Sequence, residues 1–377
     1  MTTSSEPSES IENDYFWMAK ALRLAEKGRY TTSPNPNVGC IIVNRNNQQV
    51  GQGYHLKAGS PHAEVHALEE AGEQAQGATA YVTLEPCSHY GRTPPCAKAL
   101  VKAQVARVVV AMTDPNPKVS GRGIAMLQNA GIQVSSGVMA AQAAALNTGF
   151  IKRMVTGKPW VSLKLAISLD GKIALSNGQS QWITGADARR DVQRYRALSC
   201  AVMTGSGTAI ADDPSLLVRP AQAALASYPL KRIRQPVRVV IDRDKTLPDN
   251  LQLFTDGFPT WRVVSDEQTP SADDLPFAVT DKKINLSDVL QTLAKKNINR
   301  LFVEAGPGLA GALLEAGEVD ELIIYQAPKI LGDKARSMVR MPDFASLDQV
   351  VNLTLHQQTQ VGDDLKLVFR VAPSEKS

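Results

Sequence analysis

No stretch of the 377 residues approaches the ~18 consecutive apolar residues of a membrane-spanning helix. The opening MTTSSEPSESIEND is polar and acidic where a secretory leader is basic and then apolar. A cytoplasmic location with no membrane attachment is the expectation. An excess of one charge is also lacking: 41 Lys and Arg stand against 37 Asp and Glu, and residues 1–150 hold 12 basic and 11 acidic. Neither half therefore offers the basic surface that nucleic acid requires. The four cysteines, Cys40, Cys87, Cys96 and Cys200, do not form a disulfide framework. There is no fixed-period repeat, and no low-complexity tract beyond the N-terminal stretch.

What is present is ordinary globular composition, 43% apolar and 21% charged, in a chain long enough for two or three domains of about 150 residues each. Residues 1–13 read as a disordered tail. Tyr15 to Lys27 carries Phe16, Ala19, Leu22 and Leu24 at helical spacing, with Gly28 where a C-cap would sit. The runs GCIIV, AYVTL and RVVVAM then alternate with helical stretches at 62–71 and 95–103, which implies an α/β layer with a partly parallel sheet. NTGFIKRMVTGKP resets the pattern before the strand WVSLKLAIS, placing a boundary between 150 and 158 and giving domains at 14–150 and 158–371. In the second half, strands are expected near 200–204, 237–241, 260–264, 300–304 and 319–325. The Pro/Ala/Ser/Asp-rich stretches 220–235 and 266–282 read as surface loops.

One segment of the first half needs a chemical explanation. GSPHAEVHALEEAG offers Ser60 as an N-cap, Pro61 in the first turn and a helix ending at Gly72, so His62 and Glu64 fall at a helix N-terminus. In TLEPCSHYGRTPPCAKAL, Cys87 follows a strand and Cys96 opens a helix, a place that favours thiolate. One imidazole and two thiolates make three ligands for a single zinc and leave an open position, the mark of a catalytic rather than a structural metal. Zinc lowers the pKa of water bound there toward ~7, and a carboxylate that is not a ligand can shuttle protons during attack on an amino-bearing ring carbon. Glu64 is placed for that role. Either element alone is weak, since HxE and paired cysteines are common in ordinary cores; the combination carries the reading. His62 and His66 are spaced i, i+4, but without the glutamate placement of HExxH, so His66 reads as core or second-layer.

PHAEVHAL followed by TLEPCSHYGRTPPC resembles the zinc deaminases of the cytidine-deaminase superfamily. The eight residues between the cysteines depart from PCxxC and resemble the riboflavin-pathway deaminases. With SPNPNVGC, GYH and DPNPKVSGRG, most of residues 14–150 is similar to the deaminase half of the bacterial bifunctional riboflavin-biosynthesis deaminase/reductase family. That resemblance implies a substrate pocket lined by Asn35, His55, His89, Arg92, Asp114 and Asn116. Amide and carboxylate groups suit a polar pyrimidine, and Arg92 and His89 suit a phosphate. Turn chemistry is the competing explanation for Asn35, Asp114 and Asn116, each in an Asn/Asp-Pro context.

In the second half, GPGLAG (306–311) matches GxGxxG between a strand and a helix. It comes too late for a Rossmann fingerprint, and Asp320 follows too soon to be its acidic partner. WVSLKLAISLDGKIALSNGQSQWITG, TGSGTAIADDPSLLVR, FVEAGPGLAGALL and VDELIIYQAPKILG resemble the reductase half of the same family, similar in fold to dihydrofolate reductase. The implied substrate contacts are Lys164, Ser180, Arg196, Leu216, Arg219 and Glu304, with the two arginines suited to a ribose phosphate. The implied NADPH contacts are Ala166, Asp170, Trp182, Thr208, Asp212, Gly306, Pro307, Gly308, Leu309, Ala310 and Gly311.

The resemblance thus implies a cytidine-deaminase-like zinc domain followed by a dihydrofolate-reductase-like α/β domain. Its substrates would be small pyrimidine ribosylamino phosphates: zinc-dependent removal of an amino group, then NADPH-dependent reduction of ribosyl to ribityl. No nucleic-acid or membrane partner is implied, and a homo-oligomer is allowed for. Two rivals differ in class. One is another zinc deaminase with a reductase-like binding module, which the SLDGK, TGSGT and EAGPG segments disfavour. The other is a nucleic-acid-binding protein with structural zinc, which needs a fourth ligand and a basic patch that the sequence does not show.

Overall fold

The computed structural model describes residues 7–88, 95–117, 119–225 and 228–372, with 7–10 as backbone alone. The chain divides into two compact units, Met1–Thr156 with Ser227–Arg232, and Gly157–Ala226 with Ile233–Ser377. Among the described residues no helix is long and apolar enough to cross a membrane.

The first unit is built on a five-stranded sheet ordered β2-β1-β3-β4-β5. Its elements in chain order are α1 (Pro7–Glu26), β1 (Gly39–Val43), β2 (Gln49–Tyr54), α2 (Ala63–Ala71), β3 (Thr79–Val82), α3 (Cys96–Lys102), β4 (Arg107–Val110), α4 (Arg122–Asn129), β5 (Gln133–Ser136), α5 (Ala140–Leu146) and α6 (Thr148–Thr156). β1 pairs antiparallel with β2 and β3, while β3, β4 and β5 run parallel. Every residue of β1 is buried, because the period-2 alternation feeds two cores. Cys40 and Ile42 join Ala63, Ala67, Leu100 and Leu127 on the α2–α3–α4 side. Ile41 and Val43 join Met18, Ala21 and Ala143 on the α1–α5 side.

The sequence reading is corrected here in three places. α1 begins at Pro7, inside the stretch read as tail; proline at the first turn lacks only an N–H that a helix start leaves unused. Gly28 is not left-handed; a Cβ there would meet the His55 carbonyl oxygen at 2.5 Å, so close approach, not a C-cap, requires glycine. The N-cap of α2 is His62, with no side-chain cap bond, because the Ser60 hydroxyl closes a turn onto the Lys57 carbonyl at 2.7 Å.

The second unit carries a nine-stranded sheet ordered β11-β10-β9-β8-β14-β6-β15-β18-β17. Its first elements are β6 (Trp160–Ser168), β7 (Lys172–Ala174), α7 (Ala186–Leu198), β8 (Ala201–Gly205), α8 (Ser206–Asp212), α9 (Pro220–Ala223), β9 (Val237–Ile241), α10 (Gln252–Thr255) and β10 (Thr260–Ser265). There follow β11 (Asp274–Phe277), β12 (Val279–Thr280), β13 (Lys283–Ile284), α11 (Leu286–Lys295), β14 (Arg300–Glu304), α12 (Pro307–Glu315), β15 (Glu321–Ala327), β16 (Arg336–Ser337), β17 (Leu353–Val361) and β18 (Asp364–Val371). β11 to β15 along the sheet run parallel, and the β18 and β17 hairpin adds antiparallel. β14 lies mid-sheet and enters late in the chain, so GPGLAG does not follow the first strand of the sheet, where a Rossmann fingerprint sits. β11 lies inside the stretch 266–282 read as a loop. Its Pro276 is tolerated because β11 is the sheet's edge, paired with β10 alone.

Candidate active sites

In the first unit His62, Cys87 and Cys96 converge, with one ligand atom from each within 4.8 Å of the others. Cys96 Sγ lies 3.2 Å and Cys87 Sγ 3.7 Å from His62 Nδ1. Zinc bonds of about 2.3 Å to sulfur and 2.0 Å to nitrogen at tetrahedral angles set S···N near 3.6 Å, so the donor set fits the metal in both chemistry and spacing. The Cys96 amide donates to Cys87 Sγ at 3.3 Å, fixing one thiol on the other's backbone. Without metal, a hydrogen bond from Cys96 and then His62 pull the Cys87 thiol down, while the same Cys87 bond, burial and Glu64 push Cys96 up. The Cys87 contact raises His62 above its ordinary value.

Glu64, in the first turn of α2, is 3% exposed. Burial, followed by the Cys87 thiolate, pushes its carboxyl up to about 7. This is the value of the metal-free chain; a dication on the Cys87 sulfur would oppose the thiolate's part of the shift, while the burial that comes first would remain.

Asn35 Nδ2 lies 3.1 Å from His55 Nε2, and His55 Nδ1 lies 3.2 Å from the Pro61 carbonyl oxygen. Burial lowers His55 to about 4. The ring is therefore neutral near pH 7, with Nδ1–H donating to Pro61 and Nε2 accepting from Asn35. It also packs edge-on to His62, ring centroids 5.1 Å apart. Asp114 is buried, and its Oδ1 accepts the Asn116 amide at 2.8 Å, the Asx turn that its Pro context foretold. His66 is neither core nor part of the cluster: it is half-exposed and faces Glu69 at 3.8 Å. His89 and Arg92 lie outside the described residues.

The second unit holds a cleft of about 2260 Å³, more than twice the ~1,000 Å³ upper range of ordinary small-molecule sites. Lys164, Ser180, Arg196, Leu216, Arg219 and Glu304 all line it, as do Ala166, Trp182, Thr208, Asp212, Gly306, Pro307, Gly308 and Leu309. Asp170, Ala310 and Gly311 do not. The Asp170 carboxylate accepts the Ser168 hydroxyl and the Leu331 and Gly332 amides, which hold it down to about 2 and tie the turn between β6 and β7 to the backbone at 331–332. Ala310 is core. A Cβ on Gly311 would lie 1.8 Å from the Arg340 carbonyl oxygen, so that glycine serves packing.

The cleft fits a dinucleotide and a second phosphorylated ligand. Its lining includes ten cationic side chains against four carboxylates, an excess that suits polyanions. The starts of α8 and α12 follow the adjacent strands β8 and β14. They are tied by the Gly306 amide donating to Thr208 Oγ1 at 3.0 Å. At Gly207 and Gly308 an added Cβ would meet nothing within 4 Å, so the backbone there faces open space.

In the same cleft Arg196 forks onto Glu304, and its third contact goes to the Leu217 carbonyl at 2.9 Å. Burial pushes the Glu304 carboxyl up, but Arg196, with Lys164 and Arg219 adding to it, outweighs burial and holds the group below its usual range. Burial lowers Lys164, with Arg196 adding to the shift and Glu304 opposing it. Side chains that sequence reasoning missed hold the backbone beside them: Gln235 takes both the amide and the carbonyl of Val218, Gln193 takes the Arg219 amide, and Arg238 takes the Ser215 carbonyl. Only the segment's lack of strand pairing hints at them, and that is invisible in a single sequence.

A three-donor metal site with a buried glutamate beside it, on a mixed sheet, and a dinucleotide-sized cationic cleft in the second unit define a zinc-dependent deaminase joined to a reductase. Residues 11–112 match the model for the cytidine and deoxycytidylate deaminase zinc-binding region, and 159–367 match the RibD C-terminal domain. The riboflavin biosynthesis protein RibD of Escherichia coli is 50% identical over 361 residues, 94% of this chain and 98% of that protein. RibD of Haemophilus influenzae is 48% identical, covering 96% and 98%. The solved Acinetobacter baumannii RibD superposes with TM-score 0.88 at 45% identity, covering 96% of this chain and all of that one. A Thermotoga maritima diaminohydroxyphosphoribosylaminopyrimidine deaminase/5-amino-6-(5-phosphoribosylamino)uracil reductase gives 0.82 at 29%, over 96% and 100%. The chain belongs to the RibD family of bifunctional riboflavin-biosynthesis enzymes; its deaminase uses zinc and its reductase NADPH.

Proposed function

We propose that this chain deaminates 2,5-diamino-6-ribosylamino-4(3H)-pyrimidinone 5′-phosphate and then reduces the ribosyl group of the product to ribityl. The observation that carries this is the convergence of His62, Cys87 and Cys96 beside buried Glu64. The domains are taken as 14–150 and 158–371.

For the first step His62, Cys87 and Cys96 would hold zinc, whose Lewis acidity would make water nucleophilic near neutral pH. Glu64 takes a proton from the attacking water and returns it to the amino group as ammonia leaves. Asn35, oriented by neutral His55, contacts the pyrimidine together with Asp114 and Asn116, and His89 and Arg92 face the phosphate.

For the second step the cleft around Thr208, Gly306 and Gly308 would hold NADPH, whose chemistry there would be hydride donation to C1 of the ribose. The bond from C1 to the ring oxygen breaks, and that oxygen takes a proton. Lys164, which lines the cleft, is assigned this proton: burial lowers its pKa and makes the ammonium a readier acid, while Glu304 opposes that shift. Arg196 fixes Glu304, and exposed Arg219 reaches the 5′-phosphate.

The even charge balance and the three-donor metal cluster favour a small-molecule enzyme of the cytoplasm over a nucleic-acid-binding protein, and self-association is compatible with this reading. Incubating the protein with the diaminopyrimidine phosphate tests it. Ammonia should appear without NADPH, and NADPH should be consumed only by the deaminated product. Absence of ammonia release by zinc-loaded protein would reject the reading.

A further inference from the structure

Four main-chain amides of one segment point at a single buried carboxylate. Glu85, 3% exposed, accepts from Asp114 N at 3.1 Å and Gly121 N at 2.9 Å on Oε2, and from Gly123 N at 2.8 Å and Ile124 N at 3.2 Å on Oε1. Its own amide donates to the Met112 carbonyl at 3.0 Å. α4 has Gly121 as N-cap, a residue with no side chain to close the helix start, so a residue 36 positions earlier supplies the missing acceptors. Two residues beyond Glu85 stands Cys87. A second observation is independent of the hydrogen bonds: a Cβ on Gly123 would lie 1.9 Å from the Pro86 carbonyl oxygen, so the first turn of α4 rests directly on the backbone between Glu85 and Cys87.

We propose that Glu85 is a positioning residue of the deaminase, setting the register between the metal-ligand turn at Cys87 and the segment that presents Asp114 and Asn116 to the pyrimidine. This rests on the reading of Asp114 and Asn116 as substrate contacts. The chemistry of the carboxylate suits the task. Two oxygens with four acceptor directions satisfy four donors at once, which an isosteric amide cannot do, since its NH₂ would face N–H groups. A displacement of the segment changes the distance from the substrate contacts to the metal, and misplacement on the scale of an ångström weakens productive binding.

Deaminase kinetics of the full-length, zinc-loaded protein test this. Glu85→Gln should raise KM for the diaminopyrimidine phosphate at least about tenfold while kcat moves less than about threefold. Bound zinc and reductase kinetics should stay at wild-type values. Gly123→Ala, which displaces the same turn with Glu85 intact, should give the same split, so the test survives if Glu85→Gln folds poorly. Added to Asn116→Ala, Glu85→Gln should have little further effect on KM, because both act through one segment. A wild-type KM in Glu85→Gln or in Gly123→Ala, or a full multiplicative effect in the double variant, overturns the proposal. A wild-type KM in Asn116→Ala alone would instead remove the substrate-contact reading beneath it.

Discussion

The Arg196 guanidinium makes a two-point contact with the Glu304 carboxylate, Nε to Oε1 at 2.6 Å and Nη2 to Oε2 at 3.1 Å, between side chains 11% and 15% exposed. The pair joins α7 to the end of β14, and it changes the part that Arg196 plays. Its Nη1 donates to the Leu217 carbonyl, so three of its five N–H donors organise the wall of the cleft. Glu304→Ala should leave a desolvated guanidinium and destabilise the second unit by about 3 kcal/mol, read as a loss in its unfolding transition. Deaminase activity should be unchanged. An unaltered transition would show that the pair is solvated.

The function proposed above assigns the 5′-phosphate to Arg219, which is exposed on the cleft. Losing one charge-assisted hydrogen bond costs about 1.5–3 kcal/mol, so Arg219→Ala should lower reductase kcat/KM by roughly ten- to a hundredfold. With dephosphorylated substrate the variant and wild type should be equal. Equal kinetics on the phosphorylated substrate would make Arg219 a surface charge.

Much of this was legible in the sequence where one residue type in one spacing has a single chemistry. His62, Cys87 and Cys96 were readable as one donor set, which the fold brings together with Glu64 buried nearby, because those donors at a strand end and helix starts have few other uses. The buried runs GCIIV and RLFVE were readable as strands. The failures share a cause, tertiary partners distant in sequence. Arg196 reads as a phosphate ligand until Glu304 is seen on it, 108 positions away. Asp170 reads as a cofactor contact until its carboxylate is found on the backbone at 331–332. Gly311 completes a GxGxxG pattern, yet it is glycine because the Arg340 carbonyl lies against it. β17 escaped notice because its exposed edge face breaks the apolar alternation that marks a strand.

Metal-free protein should show a pH signature of Glu64. Its carboxyl is raised from 4.5 to about 7, by burial first, so the folded chain binds the proton more tightly than the unfolded one. The stabilisation is fully present below pH 4.5 and is lost as pH rises through about 7, an effect of at most about 3 kcal/mol. Cys87 titrates in the opposite sense, so the comparison is with metal-free Glu64→Gln. The stability of wild type relative to this variant should fall between pH 4.5 and 7. A pH-independent difference would contradict the shift.

Separability follows from the division at 156 and 157. A chain beginning at about residue 158 is long enough to bury its own core, and it should fold and oxidise NADPH when given the deaminated pyrimidine. Failure to fold would move the boundary or show a shared core.

The central claim is that one buried carboxylate beside the His62, Cys87 and Cys96 cluster moves the proton without holding the metal. Ammonia release and zinc content measured together on Glu64→Gln test it most directly. Proton transfer contributes about 10²- to 10⁴-fold, so release should fall by that factor while one zinc stays bound and reductase kinetics stay intact. Zinc lost together with activity, or ammonia release at the wild-type rate, would contradict the account.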